Sequence, residues 1–515
     1  PDILGRVAYA SGMDLNPRVC YRAVLARDAR YDGRFFTCVK TTGIYCRPIC
    51  PARPPKLENC RFVPTAAAAQ EAGFRPCLRC RPESSPDLDA WRGTSSTVSR
   101  ALKLIEGGAL DSGDVASLAD RLEIGERHLR RLFLRHVGAA PVTVAQTRRV
   151  LLAKQLIHQT NLSMIQVALA SGFGSVRRFN ETFQRLYGRP PSDLRRRATD
   201  ADSSGPEITL LLPYRPPYDW AAMIEFLQAR AIAGLEVVDN ESYSRVIEFD
   251  RFTGSMTVSH VPDQSALRVR VRFGRLNCLP TIIARVRRMF DLSADPGAIA
   301  AVLALDPLLA PLISSRPGVR VPGGWDGFEI AVRAVLGQQI TVKAARQLAT
   351  RLVATAGRQV AESTPGPGLT RAFPQPDDFN AGTLAQLGMP AARAAALAGV
   401  AAATADDRRL FEPRRDLAEA VAALRRLPGV GEWTAQYIAM RAMGESDAFL
   451  AADVAVQRIL TPGGGRRLSI PALLARAELW RPWRAYAVLH LWTAGADRLH
   501  TPSQITKEIP HALTA

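Results

Sequence analysis

The spacing of apolar residues changes period several times along the chain, and each change marks a different kind of element. Over 98–197 apolar positions recur at helical spacing. Two stretches there have the rhythm of helix, tight turn and second helix: 115–137, with its turn near Ile124-Gly125, and 164–187. A polar linker, 201–206, follows, and then the period shortens to two. Segments 208–212, 244–248, 255–261 and 266–273 alternate apolar and polar residues as antiparallel strands do. Beyond Thr281 the chain becomes rich in Ala and Leu with helical spacing, interrupted by Pro and Gly over 363–376, and stays helical to about residue 499. The stretch ahead of residue 98 lacks any long periodicity. It combines Cys, Arg and Pro with short aromatic strands such as 34–40, then passes through a Ser-, Pro- and Gly-bearing linker, 83–97.

At 515 residues the chain has room for three or four domains. Its 67 Lys and Arg against 48 acids give a net charge of +19. The first 206 residues hold 32 of those cations and 19 of the acids, so +13 sits there and +6 in the remainder. Such a balance suits a polyanion, nucleic acid first and an anionic membrane surface second. No segment approaches the roughly 18 uninterrupted apolar residues of a membrane span, and no charged start precedes a secretory apolar core. The expectation is a soluble, cytoplasmic protein.

Seven of the eight cysteines lie within the first 80 residues. In a cytosolic chain that clustering favours metal over disulfides. Cys46 and Cys50, then Cys77 and Cys80 after 26 intervening residues, supply two close thiolate pairs, the donor set of tetrahedral zinc. Spacing alone favours a purely structural zinc. Cys20, Cys38 and Cys60 are expected to be small buried residues rather than ligands.

The string Lys40-Thr-Thr-Gly-Ile-Tyr-Cys-Arg-Pro-Ile-Cys50, with Ala72-Gly-Phe-Arg-Pro-Cys-Leu-Arg-Cys-Arg-Pro82, resembles the N-terminal domain of Ada methylphosphotriester repair proteins over about 70 residues. The resemblance reverses the preference left by spacing. It implies that Cys46 both ligates zinc and accepts a methyl group from a DNA phosphotriester, once, with Cys50, Cys77 and Cys80 as the other ligands. A four-thiolate zinc site carries charge 2−, and methylation leaves 1−, so repulsion from DNA phosphates falls and Cys46 becomes a damage sensor.

The two helical pairs resemble the paired DNA-reading motifs of AraC-type activators over about 100 residues. Arg127, His128, Arg130 and Arg131 on one helix, and Ser175, Arg177, Arg178 and Asn180 on the other, are side chains able to reach a major groove. Taken without their neighbours they are equally a solvated basic face.

Further on, Pro428-Gly-Val-Gly431 sits between two helical segments as a helix-hairpin-helix, where Gly429 and Gly431 let backbone amides approach a phosphate. Asp453 follows Gly431 by 22 residues. Together with 216–227, 328–338 and 480–487, this region resembles AlkA-type 3-methyladenine DNA glycosylases from Glu207 to about Leu499. The resemblance implies that Asp453 stabilises the oxocarbenium ion of glycosidic cleavage, and that Trp433, Tyr437 and Trp492 line the pocket for a flipped cationic base. Each aromatic taken alone is as readily core packing. Glu432-Trp433-Thr434 stands where strand-cutting relatives carry a lysine, so no Schiff base forms and the enzyme is monofunctional. Gln338 and Gln339 are expected at the DNA, with polar Gln339 in place of the family's apolar wedge.

The combined expectation is a multidomain α+β chain: a four-cysteine zinc domain (10–86), an all-α double helix-turn-helix domain (98–198), a small antiparallel-sheet domain (207–287) and an all-α helix-hairpin-helix glycosylase domain (288–500). Zinc is the cofactor and double-stranded DNA the partner. RNA polymerase is a further partner, and the chain is a monomer associated with the nucleoid. The rival is a transcriptional regulator whose glycosylase fold has lost activity. The Pro-Cys-His-Arg motif of the O6-methylguanine transferase domain that usually ends Ada proteins does not occur.

Overall fold

The computed structural model describes residues 15–86, 96–195, 207–360, 366–461 and 468–500. The linker expected at 201–206 lies outside them, as do 87–95 of the earlier linker, 363–365 of the Pro- and Gly-bearing interruption, residues 10–14 and residues 196–198.

The first region starts with the helix Pro17–Ala26, whose leading amides at Arg18 and Val19 donate to the Asn16 side chain. Four strands follow: β1 Phe36–Val39, β2 Ile44–Cys46, β3 Cys60–Val63 and β4 Arg75–Pro76, in sheet order β3-β1-β2-β4. β2 pairs with β4 in parallel, Tyr45 opposite Pro76. Cys20 and Cys38 are buried, as expected, and burial pushes their thiols up to about 11 and about 12. Cys60 differs from expectation: it is half-exposed, and its Sγ donates to the Lys56 carbonyl at 3.3 Å.

Both helix-turn-helix motifs form where the periodicity put them. Helices Val115–Asp120 and Glu126–His136 make the first, Met164–Ala170 and Val176–Tyr187 the second. Reciprocal capping boxes, Asp114 with Ser117 and Ser163 with Gln166, start the leading helix of each pair. The long helix Pro141–Gln159 joins the two motifs. Its Lys154 is fully buried and donates to Glu83, itself 1% exposed, at 2.8 Å and to the Cys77 carbonyl at 2.9 Å. The motifs are thus tied to the cysteine region from inside.

The second sheet runs β5-β9-β8-β7-β6, antiparallel throughout, from β5 Glu207–Pro213, β6 Glu236–Val238, β7 Ser242–Phe249, β8 Phe252–Val261 and β9 Ala266–Arg272. Four of the five match the segments of period two. β6 is too short to show a period, and its buried Glu236 is held by Tyr243 and Arg333. A two-residue turn, Asp250-Arg251, joins β7 to β8 with both residues at positive φ, matching the strands' right-handed twist. The second helix-turn-helix motif and this sheet share one apolar cluster that includes Phe173, Phe179, Phe183, Leu210 and Val269.

The helices from Pro296 onward enclose the largest cluster, to which Ile232, Leu235 and Val246 of the sheet side also belong. Among these helices Leu417–Arg425 and Glu432–Arg441 form the hairpin, and Val454–Ile459 and Arg484–His500 pack beside it. Among the described residues no helix is long and apolar enough to cross a membrane.

Lys154→Met leaves the Glu83 carboxylate buried without its cation. This variant is expected to lose about 3–5 kcal/mol of unfolding free energy in the cysteine and helix-turn-helix half, with the added Glu83→Gln recovering part, by urea titration. A second prediction concerns pH. Burial pushes the His490 imidazole down to about 4, so between the unfolded value near 6.5 and that value the unfolded chain binds a proton that the folded chain does not. Stability should fall as pH drops through that window, and His490→Leu should flatten the loss in pH-dependent melting.

Candidate active sites

Cys46 ends β2 and Cys77 follows β4, so the parallel pairing of those strands sets the two side by side, with Cys77 N–H donating to the Tyr45 carbonyl at 3.0 Å. A turn closed by Cys50 N–H to the Arg47 carbonyl, 3.1 Å, brings in Cys50. The four Sγ atoms of Cys46, Cys50, Cys77 and Cys80 lie within 4.8 Å of one another. Sulfurs about 2.3 Å from a tetrahedral zinc stand about 3.8 Å apart, so the cluster fits that ion with little contraction. Backbone N–H groups of Arg47 and Arg79 donate to the sulfurs of Cys80 and Cys77, each at 3.3 Å.

A divalent cation is what lets all four be thiolates together. Cys77 and Cys80 are buried, whereas Cys46 and Cys50 keep partial access to solvent. Arg47 turns inward, its guanidinium on Asp32, Ser84 and the Cys80 carbonyl.

The second site is built around Asp453. Its side chain caps the helix Val454–Ile459, Oδ1 accepting from the N–H groups of Ala455 and Val456, both at 3.0 Å. Indole Nε1 of Trp433 donates to Oδ2, and that of Trp492 to Oδ1, again at 3.0 Å each. Four donors therefore hold one half-exposed carboxylate. Trp433 stacks on Tyr437 with centroids 5.2 Å apart, and Tyr437 lies 6.5 Å from Trp492. The tertiary structure brings together all four residues expected at this pocket.

It adds one that the sequence did not single out. Phe226, on the helix Trp220–Gln228, stacks on Trp492 at 6.3 Å, with the guanidinium groups of Arg230 and Arg441 3.7 and 4.7 Å from its ring centre. Phe226 lies more than 200 residues before Asp453, so only folding shows their proximity. Arg441 donates to the Tyr437 hydroxyl at 2.7 Å. Burial works to raise that phenol, but the charges of Arg441 and Arg230 outweigh it and hold it below its usual value.

At the hairpin, Gly429 has φ +76°, and a Cβ there would stand 2.5 Å from the Cβ of Ala396, so glycine is required twice over. Gly431 faces open space. Gln338 spends its amide nitrogen inside the protein, on the Gly429 carbonyl at 2.8 Å and Thr434 Oγ1 at 3.1 Å. Gln339 beside it is exposed, with φ +58°, an unusual backbone for a non-glycine residue. In the helix-turn-helix motifs Arg127, His128, Arg130, Arg131, Ser175, Arg177, Arg178 and Asn180 are all exposed. Arg130 and Arg177 pair with Glu126 and Glu181 one turn away, and Ser175 caps the Arg178 N–H.

Three family models match: the metal binding domain of Ada over 19–83, a helix-turn-helix domain over 118–197 and the AlkA N-terminal domain over 209–326. The chain is 40% identical over 482 residues, 92% of its own length and 95% of the other's, to a Mycobacterium tuberculosis protein called probable bifunctional transcriptional activator/DNA repair enzyme AlkA. It is 34% identical over 287 residues to DNA-3-methyladenine glycosylase 2 of Escherichia coli, covering 55% of this chain and 95% of that protein. To the bifunctional transcriptional activator/DNA repair enzyme Ada of Escherichia coli it is 39% identical over 129 residues, 25% of this chain and 35% of that protein.

The four-cysteine cluster binds zinc. Metal analysis of the full chain should find one zinc per molecule, and Cys77→Ser should lose it.

Proposed function

Because the chain belongs to the family of bifunctional transcriptional activator/DNA repair AlkA enzymes, we propose that its two sites divide the repair of alkylated DNA between a single-use acceptor, Cys46, and a turnover centre, Asp453. The protein is a DNA-alkylation repair protein and transcriptional activator that pairs a methylphosphotriester acceptor with a 3-methyladenine-type glycosylase. It binds DNA and zinc. The observation that carries the glycosylase assignment to residues is the carboxylate of Asp453, held by two indoles and two helix amides beside the aromatic cluster of Trp433, Tyr437 and Trp492.

At that site an alkylated base flipped from the stack would find the aromatic groups of Trp433, Tyr437 and Trp492, which attract a cationic ring, with Phe226 packed against Trp492. The N-glycosidic bond breaks with its electron pair leaving on the base. The fixed carboxylate faces the positive charge developing on the sugar, and water adds to the anomeric carbon with loss of a proton to solvent. No lysine occupies 432–434, so water is the nucleophile. The exposed, left-handed Gln339 fills the gap in the duplex, while Gln338 keeps the hairpin loop in shape for Gly429 and Gly431 to meet the phosphate backbone.

At the other centre, zinc when bound keeps the four sulfurs as thiolates at neutral pH. The partly exposed Cys46 sulfur forms a bond to the methyl carbon as that carbon's bond to the phosphotriester oxygen breaks, leaving an ordinary phosphodiester anion. Arg79, exposed between Cys77 and Cys80, offers a cation for the flanking phosphates. The lowered charge of the methylated cluster strengthens promoter binding through the exposed arginines Arg127, Arg131 and Arg178, together with Arg130 and Arg177. In this reading the four units span 10–86, 98–198, 207–287 and 288–500. The chain acts as a monomer, since one copy carries both centres and both DNA-reading motifs, and the methylated form recruits RNA polymerase.

Asp453→Asn should bind methylated DNA with little change yet release alkylated base on the order of 100-fold more slowly, in a base-release assay against wild type. A wild type that liberates no base would remove the glycosylase assignment. Cys46→Ser should accept no methyl from phosphotriester DNA while base release stays at the wild-type rate.

A further inference from the structure

The hairpin helix Glu432–Arg441 carries Trp433 and Tyr437 near its start, beside Asp453. Its other end is held by residues from outside the glycosylase region. Helix Ser96–Glu106, which leads into the first helix-turn-helix motif, points Lys103 at the turn that follows the hairpin helix: Nζ donates to the carbonyls of Met443 at 3.0 Å and Gly444 at 2.8 Å. One turn earlier, Arg100 grips Glu445 with two parallel bonds, Nε to Oε1 at 3.1 Å and Nη2 to Oε2 at 2.8 Å, and gives a third to the Arg415 carbonyl at 2.8 Å. The Arg100 and Glu445 side chains are both buried. Gly444 is left-handed, φ +67°, and Glu445 N–H returns to the Ala439 carbonyl at 3.0 Å, so this turn is folded against the helix rather than trailing from it.

From these contacts we infer that Lys103 and Arg100 are positioning residues for base excision. They fix the far end of the helix that presents Trp433 and Tyr437 to the substrate base. A cation at a helix C-terminus satisfies carbonyls that have no partner within the helix and complements the helix dipole. A bidentate guanidinium–carboxylate pair adds a fixed direction. Beside these contacts a cavity of about 1070 Å³, lined among others by Lys103, Arg121, Met443 and Glu445, separates the helix-turn-helix region from the glycosylase helices. At this end the directed hydrogen bonds of Lys103 and Arg100 add to the apolar packing of Met440, Ala442 and Met443 and give the turn a fixed direction. Displacement of a reacting geometry by about 1 Å costs as much as 100-fold in rate, so a helix released at one end slows the chemistry at the other. The inference rests on the glycosylase reading above and makes the DNA-reading module part of the excision machinery.

The test compares full-length wild type, Lys103→Met, Lys103→Arg, Arg100→Lys and Asp453→Asn on methylated duplex DNA, by single-turnover base release at saturating protein and by DNA affinity. Lys103→Met keeps the apolar stem and loses the ammonium. It should release base about fivefold or more slowly with DNA affinity within about twofold of wild type, and Lys103→Arg should restore the rate. Arg100→Lys, which keeps charge and loses the fork, should slow release by a smaller factor while melting as wild type does. Release by Lys103→Met and Arg100→Lys within twofold of wild type, or equal slowing by Lys103→Met and Lys103→Arg, would overturn the inference. Wild type that released no more base than Asp453→Asn would overturn the glycosylase reading itself, and this inference with it.

Discussion

The Asp453 carboxylate is the constraint from which the proposed glycosylase site is organised. One pair of its bonds goes to the amides that begin a helix, which fixes where the carboxylate stands. The other pair goes to indoles from two different helices, which fixes where the pocket walls stand relative to it. Without those four donors the aromatic side chains would be three large residues on a core surface. With them, the walls and the charge form one rigid unit before any substrate arrives, and this preorganisation is what makes electrostatic stabilisation effective.

The zinc cluster relies on a different device. Two strands that pair in parallel for only two residues set Cys46 against Cys77, and short turns deliver Cys50 and Cys80. Four like-charged sulfurs so close together are incompatible without a cation, so the fold of this small region and the presence of the metal are one event. The same crowding underlies the chemistry proposed for Cys46, a thiolate that the ion would keep reactive while holding it in place.

Besides the apolar cluster shared by the second helix-turn-helix motif and the sheet, charged pairs join the units. Lys154 with Glu83 ties the cysteine region to the helix-turn-helix motifs, and Arg100 with Glu445 ties those motifs to the hairpin. Arg34 and Arg215 meet on Asp295, and Arg215 also reaches the Asp32 carbonyl, which joins the cysteine region to the sheet side of the glycosylase. Such pairs add little net stability over apolar contacts, but they tolerate few alternative arrangements. They specify how the units sit against one another.

The sequence by itself determined whatever depends on local spacing. The Cys46, Cys50, Cys77 and Cys80 set, the helices of both helix-turn-helix motifs, four of the five strands of the second sheet and the Gly429 turn were legible because a metal, a helical face, a pleat or a left-handed residue imposes a period on neighbouring positions. Asp453 was singled out by its motif context beside the hairpin, and the structure sets its carboxylate against Trp433 and Trp492. Only the tertiary structure decided which side chains meet across long separations. It brought Phe226 to Trp492, turned the Gln338 amide onto the hairpin loop while leaving Gln339 exposed, and set Lys103 on the Met443 and Gly444 carbonyls. Those contacts join residues about 90 to more than 300 positions apart, and no local pattern encodes them, because they follow from how whole elements pack and where each must place its unpaired polar groups.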